Sequence, residues 1–258
     1  MNKKVFSGIL VIMAIIVLVG CEQVQKETAK EQVKTQEYVV DSSDNVKPHS
    51  LISEAEKGEL SEEEKGGLIF MREEEKLARD VYATLYEKWG QQIFTNISES
   101  EQTHTDTVKF LLDKYGVDDP VVDDAVGVFA SEEMQELYDS LVVKGETSLT
   151  EALTVGAIVE DLDISDLEKL LAQTDNEDIQ IAYQNLMKGS RNHLRAFTRQ
   201  LERNGEDYSP QYIDESTYQE IITGQQERGN VDAQGQMSGN GQGSGKNKGE
   251  GRGMNQTQ

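Results

Sequence analysis

Between residues 61 and 203, apolar side chains recur at alternating intervals of three and four, the spacing of a helix face turned toward a core. No stretch keeps the period of two that a half-buried strand requires. Helix starts are marked by capping boxes, in which a Ser or Thr hydroxyl and a Glu three residues on satisfy each other's backbone amides. These are Ser61-x-x-Glu64, Ser148-x-x-Glu151 and Thr174-x-x-Glu177, with an analogous Asn96-x-x-Glu99. Stops follow at Gly90, Gly116 and Asn204-Gly205. The pattern predicts four long helices over 61–89, 96–115, 148–172 and 175–203, with a shorter one near 131–143. The connection from 116 to 147 is much longer than the others. That suits an all-α four-helix bundle with one long crossover containing the short extra helix.

The seams of these helices are apolar except at one level. The first reads Leu68, Met71, Glu75, Ala78, Tyr82, Leu85, Trp89, and the second Phe94, Ile97, Glu101, His104, Val108, Leu111, Tyr115, with Phe94 just ahead of the helix as a hydrophobic staple. The third reads Leu149, Leu153, Gly156, Glu160, Asp163, Leu167, Leu170, and the fourth Ile179, Tyr183, Leu186, Ser190, His193, Phe197. All four turn polar near their middles. A buried carboxylate normally neutralises, pairs or coordinates a cation, because leaving it charged and unpaired is too costly. Glu75, Glu101, Glu160 and Asp163 together carry −4 when ionised, which two divalent ions would balance, with His104 and His193 as neutral nitrogen ligands. Glu101-x-x-His104 places an oxygen and a nitrogen on one helical face. The competing reading is a structural bundle whose Glu and His side chains pair with Arg72, Arg191 or each other.

Composition narrows the chemistry. The 258 residues carry 25 Lys and Arg against 48 Asp and Glu, a formal net charge of −23, which argues against nucleic acid as a partner. A single cysteine excludes a disulfide framework and multi-thiolate metal sites. That cysteine closes the sequence Leu18-Val19-Gly20-Cys21, after Lys3, Lys4 and an apolar run from Val5 to Val19 that is short for a membrane span. The tetrapeptide resembles a bacterial lipobox, which implies a signal peptide over 1–20, lipidation of Cys21, and an extracytoplasmic protein anchored to the cell membrane. An uncleaved membrane anchor is the alternative. Residues 21–60 are polar and read as a flexible tether, 61–223 as the bundle, and 224–258, with ten of the chain's 22 glycines, as a disordered tail. A tether and tail fit poorly inside a closed shell, which favours a monomer or homodimer.

The stretches Met71–Tyr82, Ser100-Glu-Gln-Thr-His104, Gly156–Asp163 and Gly189–Phe197 resemble the ferritin-like family catalogued as domain of unknown function 2202, over about residues 61–222. The likeness includes Tyr208-Ser-Pro-Gln-Tyr212, a segment that should pack back on the bundle. The wider ferritin-like pattern implies one Glu from the first helix, Glu-x-x-His from the second, Glu from the third and Glu-x-x-His from the fourth. Glu75, Glu101, His104, Glu160 and His193 fit their places. Ser190 stands where a second bridging Glu is expected, and Asp163 is the candidate replacement. The resemblance implies an iron or manganese centre, with two ions and oxidase or peroxide-consuming chemistry; zinc also suits such ligands, copper(I) does not. Tyr82 and Tyr183 read as core, with a position near such a centre the alternative. Asp118–Asp124 lacks the alternating ligands and central glycine of a calcium loop and reads as a solvated turn. There is no nucleotide loop, and Ser190 with His193 lacks the orienting acid and elbow of a hydrolase.

Overall fold

The computed structural model describes residues 48–238. The order is α1 (Pro48–Glu54), α2 (Glu62–Trp89), α3 (Gln92–Tyr115), α4 (Glu132–Gly145), α5 (Leu149–Leu171), α6 (Glu177–Arg203) and α7 (Glu215–Thr223), then two-residue strands β1 (Asn230–Val231) and β2 (Met237–Ser238) paired antiparallel. Helices α2, α3, α5 and α6 are the bundle. They pack chiefly as the pairs α2 with α3 and α5 with α6, and the long α3–α5 connection carries α4 across α2 and α5.

The capping signals place most of the boundaries. Ser61 and Glu64 form a complete capping box on α2, and Ser148 caps α5. Gly90 and Gly116 end α2 and α3 in the left-handed conformation, at φ 63° and 70°, where a Cβ would be strained. Two starts differ from the predicted ones. Helix α3 begins at Gln92, so Asn96 lies inside it, accepting a hydrogen bond from Gln92 at 2.8 Å, and Phe94 is a buried first-turn residue rather than a staple outside the helix. Asn176 is the cap residue of α6, because the Thr174 hydroxyl is spent on Glu64 of α2.

Leu68, Met71, Leu85, Val108, Leu111, Leu167, Leu186 and Phe197 are fully buried along the seams. Each contributes about 1.5–3 kcal/mol relative to exposure. The charged flank of α2 secures the crossover. Arg72 forks Asp119 at 3.0 and 3.1 Å, Arg79 holds Asp124 at 2.7 Å, and the fully buried Lys76 binds Asp80 at 2.5 Å and the Ala125 carbonyl at 3.0 Å. Glu73 accepts the Ala130 and Ser131 amides at the start of α4. Asp118–Asp124 is therefore more than a solvated turn: two of its carboxylates are ion-paired to α2 and fix the crossover.

The ordered unit is longer at both ends than the predicted 61–223. Part of the predicted tether is docked, since Ile52 of α1 is fully buried and Lys114 donates to the Ile52 and Ala55 carbonyls. The predicted tail also contributes: Val231 and Ala233 are buried, Glu227 pairs with Arg191 and Arg195, and Asn185 exchanges hydrogen bonds with Val231. The reason is the apolar and acidic residues interspersed among the glycines, which find complementary groups on α6. Tyr208–Tyr212 does pack back, held by Asp161, which accepts from the Tyr208 hydroxyl and from the Gln211, Tyr212 and Ile213 amides. The predicted signal segment, Cys21, the earlier tether and the tail beyond residue 238 lie outside the described residues.

Candidate metal centre

The polar level of the four seams converges. Glu75 comes from the middle of α2, Glu101 and His104 from successive turns of α3, Glu160 from α5 and His193 from α6. The three glutamates are at most 2% exposed. Glu101 lies between the two histidines: one carboxylate oxygen is 2.6 Å from His104 Nδ1 and the other 2.7 Å from His193 Nδ1. Glu75 meets His104 Nδ1 at 3.2 Å, and Glu160 is 3.5 Å from His193 Nδ1. The imidazoles stack with centroids 5.7 Å apart. These residues form two groups, Glu75–Glu101–His104 and Glu101–Glu160–His193, each with ligand atoms within 4.8 Å of one another, and Glu101 belongs to both. Either group could hold a metal ion.

Orphaned atoms mark the same place. Glu75 Oε1, Glu101 Oε1 and His193 Nδ1 are buried without a hydrogen-bond partner. For the last two this holds although they are only 2.7 Å apart, so the ring nitrogen and the carboxylate are not aligned along the line joining them. Two lone pairs aimed at a common third point have that relation. Ser100 Oγ lies 3.1 Å from His193 Nε2. In the tautomer with the proton on Nε2, Ser100 accepts it and Nδ1 presents its lone pair to the centre.

The electrostatics follow from this enclosure. Burial alone would raise the Glu101 carboxyl, but His104 and His193 outweigh it and hold it far below the usual range. Burial likewise opposes charge on the histidines, yet Glu101 and Glu75 raise His104, and Glu101 and Glu160 push His193 up to about 10. Glu75 is pushed up to about 7, chiefly by burial.

Asp163 is not part of either group. Its Oδ2 is hydrogen-bonded to Ser190 Oγ and its Oδ1 has no partner, while burial and the neighbouring Glu75 and Glu74 push its carboxyl well up. Ser190 is itself buried and also donates to the Leu186 carbonyl. Arg72 and Arg191 do not neutralise the centre, being held by Asp119 and Glu227. Tyr82 does more than fill the core: its hydroxyl donates to Glu160 at 2.5 Å. Tyr183 lies away from the centre, against Gly67 and beside Glu64.

Two residues at the centre carry little sequence signal. Ser100 is one polar residue among many. Gly189 matters by what it lacks, since a Cβ there would lie 2.5 Å from Cε1 and Nε2 of His104.

The profile of a family described as "Uncharacterized protein domain (DUF2202)" matches residues 64–225. An uncharacterized protein of Methanocaldococcus jannaschii is 61% identical over 178 residues, spanning 69% of this chain and 96% of the relative. A crystal structure of a hypothetical protein from Methanococcus jannaschii superposes with a TM-score of 0.66 at 61% identity, covering 67% of this chain and 98% of that one.

Proposed function

The chain belongs to this uncharacterized domain family, whose description carries no activity, and from the site itself we propose that the protein binds two divalent metal ions, iron or manganese, in a ferritin-like bundle. The observation that carries the reading is the sharing of Glu101 between two groups, buried except for the partly exposed His193, that each contain one histidine. Glu75 and His104 would serve one ion, Glu160 and His193 the other, and Glu101 would bridge them. The orphaned oxygens of Glu75 and Glu101 and the misaligned His193 nitrogen fit such a load. A mixed oxygen and nitrogen donor set suits iron, manganese or zinc. With iron or manganese the centre would supply electrons to dioxygen or peroxide. The chain's own part is to hold the ligands in register: Ser100 orients His193, Tyr82 holds one oxygen of Glu160, and Gly189 leaves room for the His104 ring.

The lipobox-like segment supports a further part of the proposal, that the bundle is exported and lipid-anchored through Cys21. Mass spectrometry of the mature N-terminus tests it, with a lipid-modified Cys21 expected. A second reading is a metal-free surface-interaction module, favoured by the ability of Glu101 to pair with two protonated histidines. Metal analysis decides between the two. The chain purified without a polyhistidine tag and loaded anaerobically with iron should carry up to two ions, and its Glu101→Ala, His193→Ala variant none. A wild-type chain that stays metal-free refutes the centre. Consumption of dioxygen or peroxide by the loaded chain separates catalysis from sequestration.

A further inference from the structure

A buried carboxylate retained for architecture accepts hydrogen bonds. Asp161 is the local example, with four donors. Glu74 is different: it is 3% exposed, no amide, hydroxyl or cation donates to either of its oxygens, and the group it meets is another carboxyl, that of Asp166. Asp163 Oδ1 is likewise buried and unpartnered. These atoms lie beside a regular feature of α5. Glu160, Asp163 and Asp166 recur at intervals of three, which puts one carboxylate on each turn of one face, about 4.5 Å apart along the axis. Exposure rises along the series, from 2% and 5% for the first two residues to 16% for the Asp166 side chain. Glu74 faces this ladder from α2, feeling the charges of Asp166 and Glu75, while Asp163 feels Glu75, Glu74 and Glu160.

Resting on the metal-centre reading above, we infer that Asp166, Glu74 and Asp163 form a path along which a divalent cation passes from solvent to Glu75 and Glu160. The outer end is closed by the Lys169 ammonium, 2.6 Å from Asp166 on a side chain 64% exposed, which an arriving cation displaces. The path is made of oxygen alone and so suits hard cations. Among the described residues its carboxylates do not converge in threes as those of the centre do. A cation held by one or two oxygens at each step is bound weakly enough to move on, whereas the histidine-bearing groups at the inner end retain it.

Rapid mixing of the full-length chain with cobalt(II), followed by its absorption, and removal of the bound cobalt by a chelator measure both directions of transit. Glu74→Gln and Asp166→Asn should fill and empty roughly tenfold more slowly than wild type, within the range that charge placement lends to association rates, with the final cobalt per chain unchanged. Slowing in both directions is the signature of a path. Unchanged rates overturn the inference, as does slower filling with normal emptying, which marks simple attraction at the surface. A lowered final content also overturns it, by making these residues ligands. Asp166→Asn, at the partly exposed end, keeps the test valid if the Glu74 variant does not fold. Wild type that takes up no cobalt overturns the metal centre itself, whereas wild type that loads while both variants keep its rates overturns the path alone.

Discussion

Glu101 is the residue on which the centre depends, because it supplies an oxygen to each histidine-bearing group. Glu101→Gln keeps the shape and removes the charge, so both ions should be lost, while Glu75→Gln and Glu160→Gln should each cost mainly one. Metal content per folded chain measures this, and a Glu101→Gln protein still carrying two ions would refute the bridging role. Ser100→Ala removes the oxygen beside His193 Nε2 and should weaken the ion on that side about 10- to 100-fold, the usual cost of losing a partner that orients a ligand. Gly189→Ala sets two effects against each other. Alanine in a helix is favoured over glycine by about 1 kcal/mol, but its Cβ would sit 2.5 Å from the His104 ring. The ring must move, so metal on the His104 side should weaken even if the helix gains. An alanine variant with higher melting temperature and undiminished metal content would show that the close approach is relieved without consequence.

At the scale of elements, helix type and order were legible because caps, stops and seam period agree along the chain. Ser61 and Ser148 cap where the sequence places them, whereas Asn96 and Thr174 do not, because the capping pattern cannot register that an apolar Phe94 extends α3 or that Glu64 claims the Thr174 hydroxyl. The seam positions bring Glu75, Glu101, His104, Glu160 and His193 to one level since all five lie on faces turned inward. Asp163 shares the seam for the same reason, and spacing alone does not show that Ser190 occupies one of its oxygens. Composition is a weaker guide at the ends of the domain. Glycine-rich segments signal disorder on average, but Val231 and Glu227 meet specific partners on α6. A chain ending at Thr223 should therefore be less stable than one ending at Ser238. It loses the buried Val231 and leaves Arg195, only 5% exposed, without Glu227. A loss of about 2–4 kcal/mol is expected from one buried side chain and one broken, nearly buried pair. Thermal unfolding of the two lengths measures it, and equal melting temperatures would return the segment to the status of a passive tail.

Over the whole molecule, protons and metal compete for the same atoms, and the two states should respond to pH with opposite sign. Without metal, His193 on α6 faces Glu101 and His104 of α3 and Glu160 of α5, and its pKa rises from 6.5 to about 10. The stability it contributes is complete below about pH 6.5 and is lost as pH climbs toward 10. Glu75 on α2 faces His104 and Glu101 of α3 and Asp163 of α5, and moves from 4.5 to about 7. A carboxyl raised in this way favours the folded protein while it stays protonated, so its contribution also falls as pH rises, between 4.5 and 7. Glu101 moves down instead, and its contribution is lost only under strong acid. The metal-free protein should therefore melt at lower temperature at about pH 9 than at about pH 6. Metal binding expels those protons, so the stabilisation given by a fixed free-metal concentration should grow over the same interval. General repulsion within a chain of net charge −23 would also lower stability as pH rises, but metal-free His193→Gln keeps nearly all of that charge. A slope shared equally by wild type and His193→Gln would assign the effect to repulsion and to the groups left in place, His104 and Glu75. A slope that flattens in the variant, with metal steepening the opposite trend in wild type, assigns it to His193.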